Sequence, residues 1–105
     1  MISKLSKKTT HSTDQTIKKL IKAIIGAMVD LGSYQVFLFG SRAQGSHTDR
    51  SDYDIGILGP KSIPYPDLFM IARLVNALPV KVEVVDFMRV SDEFKEYAMR
   101  KIILL

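Results

Sequence analysis

Gln35-Val36-Phe37-Leu38-Phe39-Gly40-Ser41-Arg42-Ala43-Gln44-Gly45 leads, after a short polar stretch, into Ser51-Asp52-Tyr53-Asp54-Ile55-Gly56-Ile57-Leu58, and the reading of the chain turns on this segment. Val36 to Phe39 is an unbroken apolar and aromatic run, as in a strand buried on both faces. Gly40-Ser41 ends the run with a residue whose backbone turns sharply and allows close approach to a ligand. From Asp52 the pattern alternates and predicts a second strand. Residues i and i+2 of a strand share a face, so Asp52 and Asp54 stand together while Ile55 and Ile57 turn to a core.

Towards the N-terminus, Ile17, Leu20, Ile21, Ile24, Ile25, Met28 and Val29 recur at the period of a helix and form one apolar stripe. Thr13 or Asp14 is suited to cap its start, and Gly32 to close it in a left-handed conformation. Residues 1–12 are polar and basic and read as a flexible lead-in, leaving 13–105 as a single domain. Towards the C-terminus, Gly59-Pro60 stops the second strand. Pro64 and Pro66 then open a helix through Leu68, Phe69, Ile71, Ala72, Val75 and Leu78. Val80 to Phe87 alternates into a third strand. Ser91-Asp92-Glu93 caps a final helix carrying Phe94, Tyr97, Ala98, Ile102 and Leu105. This order predicts an α/β protein of the α+β type, a small mixed three-stranded sheet flanked by helices.

The whole is 105 residues, 47% hydrophobic and 25% charged, the size of one domain. A site for a large ligand is therefore shallow or shared with a partner. The absence of Cys excludes a disulfide framework, a thiolate zinc site and a Cys nucleophile. No apolar run approaches the roughly 20 residues of a membrane span. The basic start Met1 to Lys8 has no apolar core behind it, so it does not read as a signal peptide, and the expected location is cytoplasmic. The net charge of +4 comes mainly from lysines near the N-terminus. Without an interleaved aromatic platform this reads as a solvated helix face, not a nucleic-acid site.

The chemistry rests on three features. Gly40-Ser41 offers backbone amides and a hydroxyl for phosphate. Asp52 and Asp54 present two carboxylates on one face of a strand, where Asp is otherwise rare. Asp86 closes an otherwise apolar strand, and if that strand lies beside the second, it is expected to join them. Three carboxylates drawn together repel strongly, so the cluster calls for a divalent cation, protonation or an Arg. Oxygen ligands suit Mg²⁺ or Mn²⁺. A phosphate cradle, carboxylates for two metal ions and a further acid to take a proton describe phosphoryl transfer.

Gly40-Ser41, ten residues, Asp52-x-Asp54 and a later acid-bearing strand resemble the nucleotidyltransferase superfamily of DNA polymerase β. The fuller string Gly40-Ser41-Arg42-Ala43-Gln44-Gly45 with Ser51-Asp52-Tyr53-Asp54-Ile55 is most similar to its minimal branch, the MNT proteins that act as antitoxins beside HEPN-domain toxins. The resemblance implies a polymerase β-like core and transfer of a nucleoside monophosphate, typically AMP from ATP, to a hydroxyl, typically a Tyr of the toxin. It implies nucleotide binding by Gly40 and Ser41, with Arg42 a further candidate for the phosphates. It implies two Mg²⁺ ions, or Mn²⁺, on Asp52 and Asp54, with Asp86 ligating one ion and activating the acceptor. The HEPN toxin and ATP or another NTP are the implied partners, in a homodimer or hetero-oligomer. Gln44 departs from the branch, which commonly carries a basic residue there. No nucleobase-gripping second domain is recognisable after the last helix, which leaves that wall to a partner.

Two other readings compete. One is a binding antitoxin that silences its partner by occlusion, although no packing need explains Gly40, Ser41, Asp52, Asp54 and Asp86 together. The other is a transferase for a small molecule, disfavoured because no acceptor domain is visible. His47 reads as a solvated loop residue, His11 as tail. Met28, Met70 and Met88 read as core or interface filler, and Tyr53, Tyr65 and Tyr97 as packing residues. On the sequence alone, Asp52→Asn or Asp86→Asn is expected to abolish transfer and spare the fold.

Overall fold

The computed structural model describes the backbone of residues 2–105 and the side chains from residue 13 onward. Its elements run α1 (Ile2–Gly26), β1 (Gln35–Phe39), α2 (Ser41–Gln44), β2 (Tyr53–Leu58), α3 (Tyr65–Val75), β3 (Val82–Asp86), α4 (Asp92–Ala98) and β4 (Ile103–Leu104). The strands form one four-stranded sheet in the order β3-β2-β1-β4. β1 is antiparallel to β2 and to β4, and β2 is parallel to β3, with α3 as the connection between the parallel pair. No described helix is long and apolar enough to cross a membrane.

Alternation along the strands divides the core in two. Val36 and Leu38 of β1 and Tyr53, Ile55 and Ile57 of β2 turn to one face, where Ile17, Ile21 and Ile25 of α1 and Ile71 and Val75 of α3 cover them. Phe37 and Phe39 turn to the other face and pack with Phe87, Phe94 and Ala98. Rings of Phe37 and Phe39 meet Phe87 edge-on at 4.9 and 5.1 Å, an arrangement that aromatic quadrupoles favour. Gly56 makes room for them: a Cβ there would lie 2.3 Å from Phe37 and 2.7 Å from Phe87. The buried strand and the apolar helix stripe are thus where the sequence places them, except that Leu20 of the stripe is 43% exposed.

Several ends differ from the sequence reading. The backbone of α1 is helical from Ile2, so Thr13 and Asp14 lie inside the helix and do not cap it. The side chains of the basic lead-in, His11 among them, lie outside the described residues. The helix stops at Gly26, and Gly32 does not adopt a left-handed conformation; positive φ occurs at Gly40 and Gly45. The Asp30 carboxylate accepts hydrogen bonds from the Gly32 amide and the Ser33 hydroxyl and holds that turn instead. α4 ends at Ala98, and the chain then returns as a fourth strand along the open edge of β1, pairing Phe37 with Leu104 and Leu38 with Ile103. A two-residue strand has no periodicity to read. It forms because a buried strand leaves backbone groups that need partners on both edges. Ser91 does cap α4, accepting from the Phe94 amide at 3.1 Å, and Pro66 sits in the first turn of α3. Of the residues read as filler or packing, Met70, Met88, Tyr65 and Tyr97 are substantially exposed, whereas Met28 packs on the core.

Asp86 is the main correction. β3 lies beside β2 as expected, but the register pairs Asp86 with Ile57 and turns both to the face covered by α1 and α3. Asp86 is 4% exposed, accepts from the Ile63 amide at 2.7 Å and the Met88 amide at 3.0 Å, and pairs with Arg89 at 3.3 Å. Arg89 in turn donates to the Ile63 carbonyl at 2.7 Å. This network anchors the loop that enters α3. Asp86→Asn is accordingly expected to lower unfolding free energy by about 1–3 kcal/mol, since the Ile63 amide and the Arg89 guanidinium lose their charged acceptor. Urea titration checks this; native stability combined with lost transfer would restore Asp86 to the catalytic group.

Candidate active site

The site lies where β1 ends and β2 and β3 begin. Gly40 follows β1 with φ 72° and ψ −154°, a conformation that only Gly adopts readily, and delivers the chain into α2. The turn brings Gly40 against Asp54: a Cβ built on Gly40 would lie 2.3 Å from Asp54 Oδ2. The Gly40 carbonyl accepts from the Ala43 and Gln44 amides at 3.1 and 3.0 Å, and the amides of Ser41 and Arg42 precede that ladder. Gly45 ends α2 in the left-handed region. The cradle expected at Gly40-Ser41 therefore abuts the acids of β2.

The neighbour of Asp54 on β3 is Glu83, which the sequence reading passed over. Asp54 and Glu83 are register partners across a parallel pair, and the alternation that turns Asp86 away turns Glu83 towards Asp54. Lys81 sits two residues earlier on the same face. Its ammonium lies 3.5 Å from Asp52 Oδ2 and 3.8 Å from Glu83 Oε1, so one cationic group already spans two of the carboxylates. Burial pushes the Asp54 carboxyl above the usual carboxylate range; the charges of Glu83 and Asp52 raise it further, and Lys81 partly offsets them. The signal for Glu83 was present in the sequence: a charged residue two positions after Lys81, inside an apolar strand.

Among the described residues no three His, Cys, Asp or Glu side chains are gathered tightly enough to hold a metal ion unaided. The donor set nevertheless fits a hard divalent cation. Asp52, Asp54 and Glu83 offer only oxygen, and Mg²⁺ is commonly held by one or two carboxylates together with water and substrate phosphates.

Arg42 is the second correction. Its side chain turns away from the acids: Nε donates to the Ser51 carbonyl at 3.1 Å, and the guanidinium lies 3.9 Å above the Tyr53 ring and 3.7 Å from Asp14. Tyr53 faces the core beneath α1, so Arg42 contacts the opposite side of the sheet from Asp54. It acts as a strut beneath the loop and is not directed at the carboxylates. His47 is exposed, as expected of a loop residue.

The family model for Polymerase beta, Nucleotidyltransferase matches residues 15–105. The chain belongs to that family, and its fold and enzyme class are those of a nucleotidyltransferase. Among solved structures it is similar to a toxin-antitoxin crystallised with AMP-PNP, at TM-score 0.67 and 23% identity over 82% of this chain and 69% of that one. It is equally similar to a minimal nucleotidyltransferase, at TM-score 0.67 and 23% identity over 87% and 94%. A variant of the toxin-antitoxin MntA-HpeT gives TM-score 0.61 and 26% identity over 88% and 70%. No curated protein matches significantly.

Two outcomes follow for the metal-free protein. Because the folded-state pKa of Asp54 is raised, the native state holds a proton more tightly than the unfolded chain, and Asp54 costs stability once pH rises above the ordinary carboxylate range. Asp54→Asn is expected to raise the thermal midpoint at pH 7 in EDTA, with the difference vanishing near pH 3. Gly40→Ala is expected to cost about 1–3 kcal/mol through strain at its positive φ and the clash with Asp54. Calorimetry across pH reads the first, and urea titration the second.

Proposed function

We propose that the protein transfers AMP from ATP to a hydroxyl, that of a Tyr on a HEPN-type toxin partner, and thereby acts as an antitoxin. The observation that carries this reading is the juxtaposition of Asp54 with Glu83 and with Gly40, beside Asp52. In this reading Asp52 and Asp54 are the metal-holding residues, and Glu83 takes the position that the sequence had given to Asp86. Gly40, Ser41 and the start of α2 receive the phosphates. Two divalent cations, Mg²⁺ or Mn²⁺, supply neutralisation of the phosphate charge when bound.

The acceptor oxygen attacks the α-phosphorus of ATP, a new P–O bond forms, the bond to the β-phosphate breaks, and pyrophosphate leaves. The hydroxyl proton passes to a carboxylate, for which Glu83 is placed on the face of Asp54. Asp54 lies against the turn at Gly40, so a phosphate received there stands beside the acids. Exposed apolar side chains on α3, Phe69, Met70 and Leu74 at 66%, 42% and 40%, offer a surface for a protein partner. Similarity to two toxin-antitoxin structures, one holding AMP-PNP, supports a toxin partner and an adenine nucleotide.

Intact mass of the co-purifying partner, after incubation with ATP and Mg²⁺, tests this. The wild-type chain is expected to add one or more adenylyl units, the Asp52→Asn/Asp54→Asn variant none. Glu83→Gln is expected to slow transfer by about 10²-fold or more, the contribution typical of a positioned base. An unmodified partner that is still bound and inhibited would instead establish neutralisation by occlusion.

A further inference from the structure

The nucleotide end of the sheet is held by a cluster that the transfer reaction itself does not use. Arg42 directly follows Ser41, yet its side chain is 10% exposed and runs beneath the loop that leads to the acids. Nε donates to the Ser51 carbonyl at 3.1 Å, with the Asp49 carbonyl 3.4 Å and the Thr48 carbonyl 3.5 Å from Nη2. The guanidinium stacks on Tyr53, the residue between Asp52 and Asp54, at 3.9 Å from the ring centre. Tyr53 is 4% exposed and its hydroxyl donates to Asp14 of α1, whose carboxylate also meets Arg42 at 3.7 Å and Lys18 at 3.0 Å.

We infer that Arg42, Tyr53 and Asp14 form a positioning unit that ties the phosphate cradle, the loop before the acids and helix α1 into one rigid frame. The inference rests on the nucleotide site proposed above. One guanidinium touches three segments that must keep a common register: α2 carries its backbone, residues 48–51 receive its hydrogen bonds, and β2 supplies its stacking partner. Within that loop the remaining bonds are local, among Thr48, Arg50 and Ser51. Arg42 is therefore its tether to the core. A lysine keeps the charge but has neither the planar stack nor the fork of donors. Displacements near 1 Å of a positioned group can cost about 10²-fold in reactivity, so such a tether matters to function as well as to folding. Asp14 extends the frame to α1, so the long helix takes part in it.

The test uses the full chain with Mg²⁺·ATP as the probe. Binding is followed by calorimetry, backbone order by hydrogen exchange at the amides of residues 48–51, and folding by the thermal midpoint. Arg42→Lys is expected to remain folded, to exchange those amides at least about tenfold faster and to weaken Mg²⁺·ATP binding about tenfold. Tyr53→Phe and Asp14→Asn each remove one arm and are expected to weaken binding about threefold, the scale of one hydrogen bond. Should Arg42→Lys fail to fold, these two milder variants decide. Wild-type affinity in folded variants whose loop amides exchange faster would overturn the inference. Unchanged exchange would overturn it as well, whether or not nucleotide binds. A wild-type chain that does not bind Mg²⁺·ATP would overturn the underlying nucleotide site, a result distinct from either.

Discussion

The parallel register of β2 and β3 is the constraint on which the rest of the site depends. It sets Asp54 beside Glu83 and Ile57 beside Asp86, and since side chains alternate between faces, it sends the two acids of β3 to opposite sides of the sheet. A slip of one residue would exchange them, burying Glu83 without a partner and removing Asp86 from the Ile63 amide. The apolar face fixes the choice. Val82 packs in the core with Ile55 and Ile57, and a slip of one residue would turn it out of that core.

The two sides of the sheet divide the work. On the side of α1 and α3, isoleucines and valines bury the sheet, Asp86 and Arg89 anchor the entry to α3, and Arg42, Tyr53 and Asp14 bind the loop to the long helix. On the other side, the aromatic cluster around Phe87 fills one end and the carboxylates hold the opposite end. Like charges gather there because folding energy from the packed side supports them. Lys81 moderates their repulsion only weakly, since it is largely exposed. The Tyr53 hydroxyl, pushed up to about 12 by burial and by its bond to Asp14, stays protonated and remains a donor across the neutral range. Burial acts to raise Asp14, but bonds from Tyr53 and Lys18 and the nearby charges of Lys18 and Arg42 bring it below the usual carboxylate value, so it stays an acceptor.

Much of this was legible in the sequence. The run Val36 to Phe39, the turn at Gly40, the alternation after Asp52 and the spacing of Ile17, Ile21 and Ile25 are local patterns with one physical interpretation each. What escaped was non-local. β4 is defined by the empty edge of β1, which no pattern near Ile103 announces. Asp86 and Glu83 are both acids in one apolar strand, and only the pairing with β2 tells which meets Asp54. Asp86 stood out because it ends the row, although the residue that shares a face with Asp54 is Glu83. Arg42 was misplaced for a similar reason: its neighbour Ser41 pointed to phosphate, while the burial of Tyr53 drew the guanidinium to the other face.

The central claim is that Asp52, Asp54 and Glu83, and not Asp86, receive a divalent cation with its nucleotide. Paramagnetic broadening of backbone amide signals by Mn²⁺, in the presence of a non-hydrolysable ATP analogue, tests it most directly. Broadening centred on residues 40–42, 52–54 and 81–83, with Met88 and Arg89 less affected, is the result this account requires. Broadening centred on Ile63, Asp86 and Arg89, or none under saturating analogue, would contradict it.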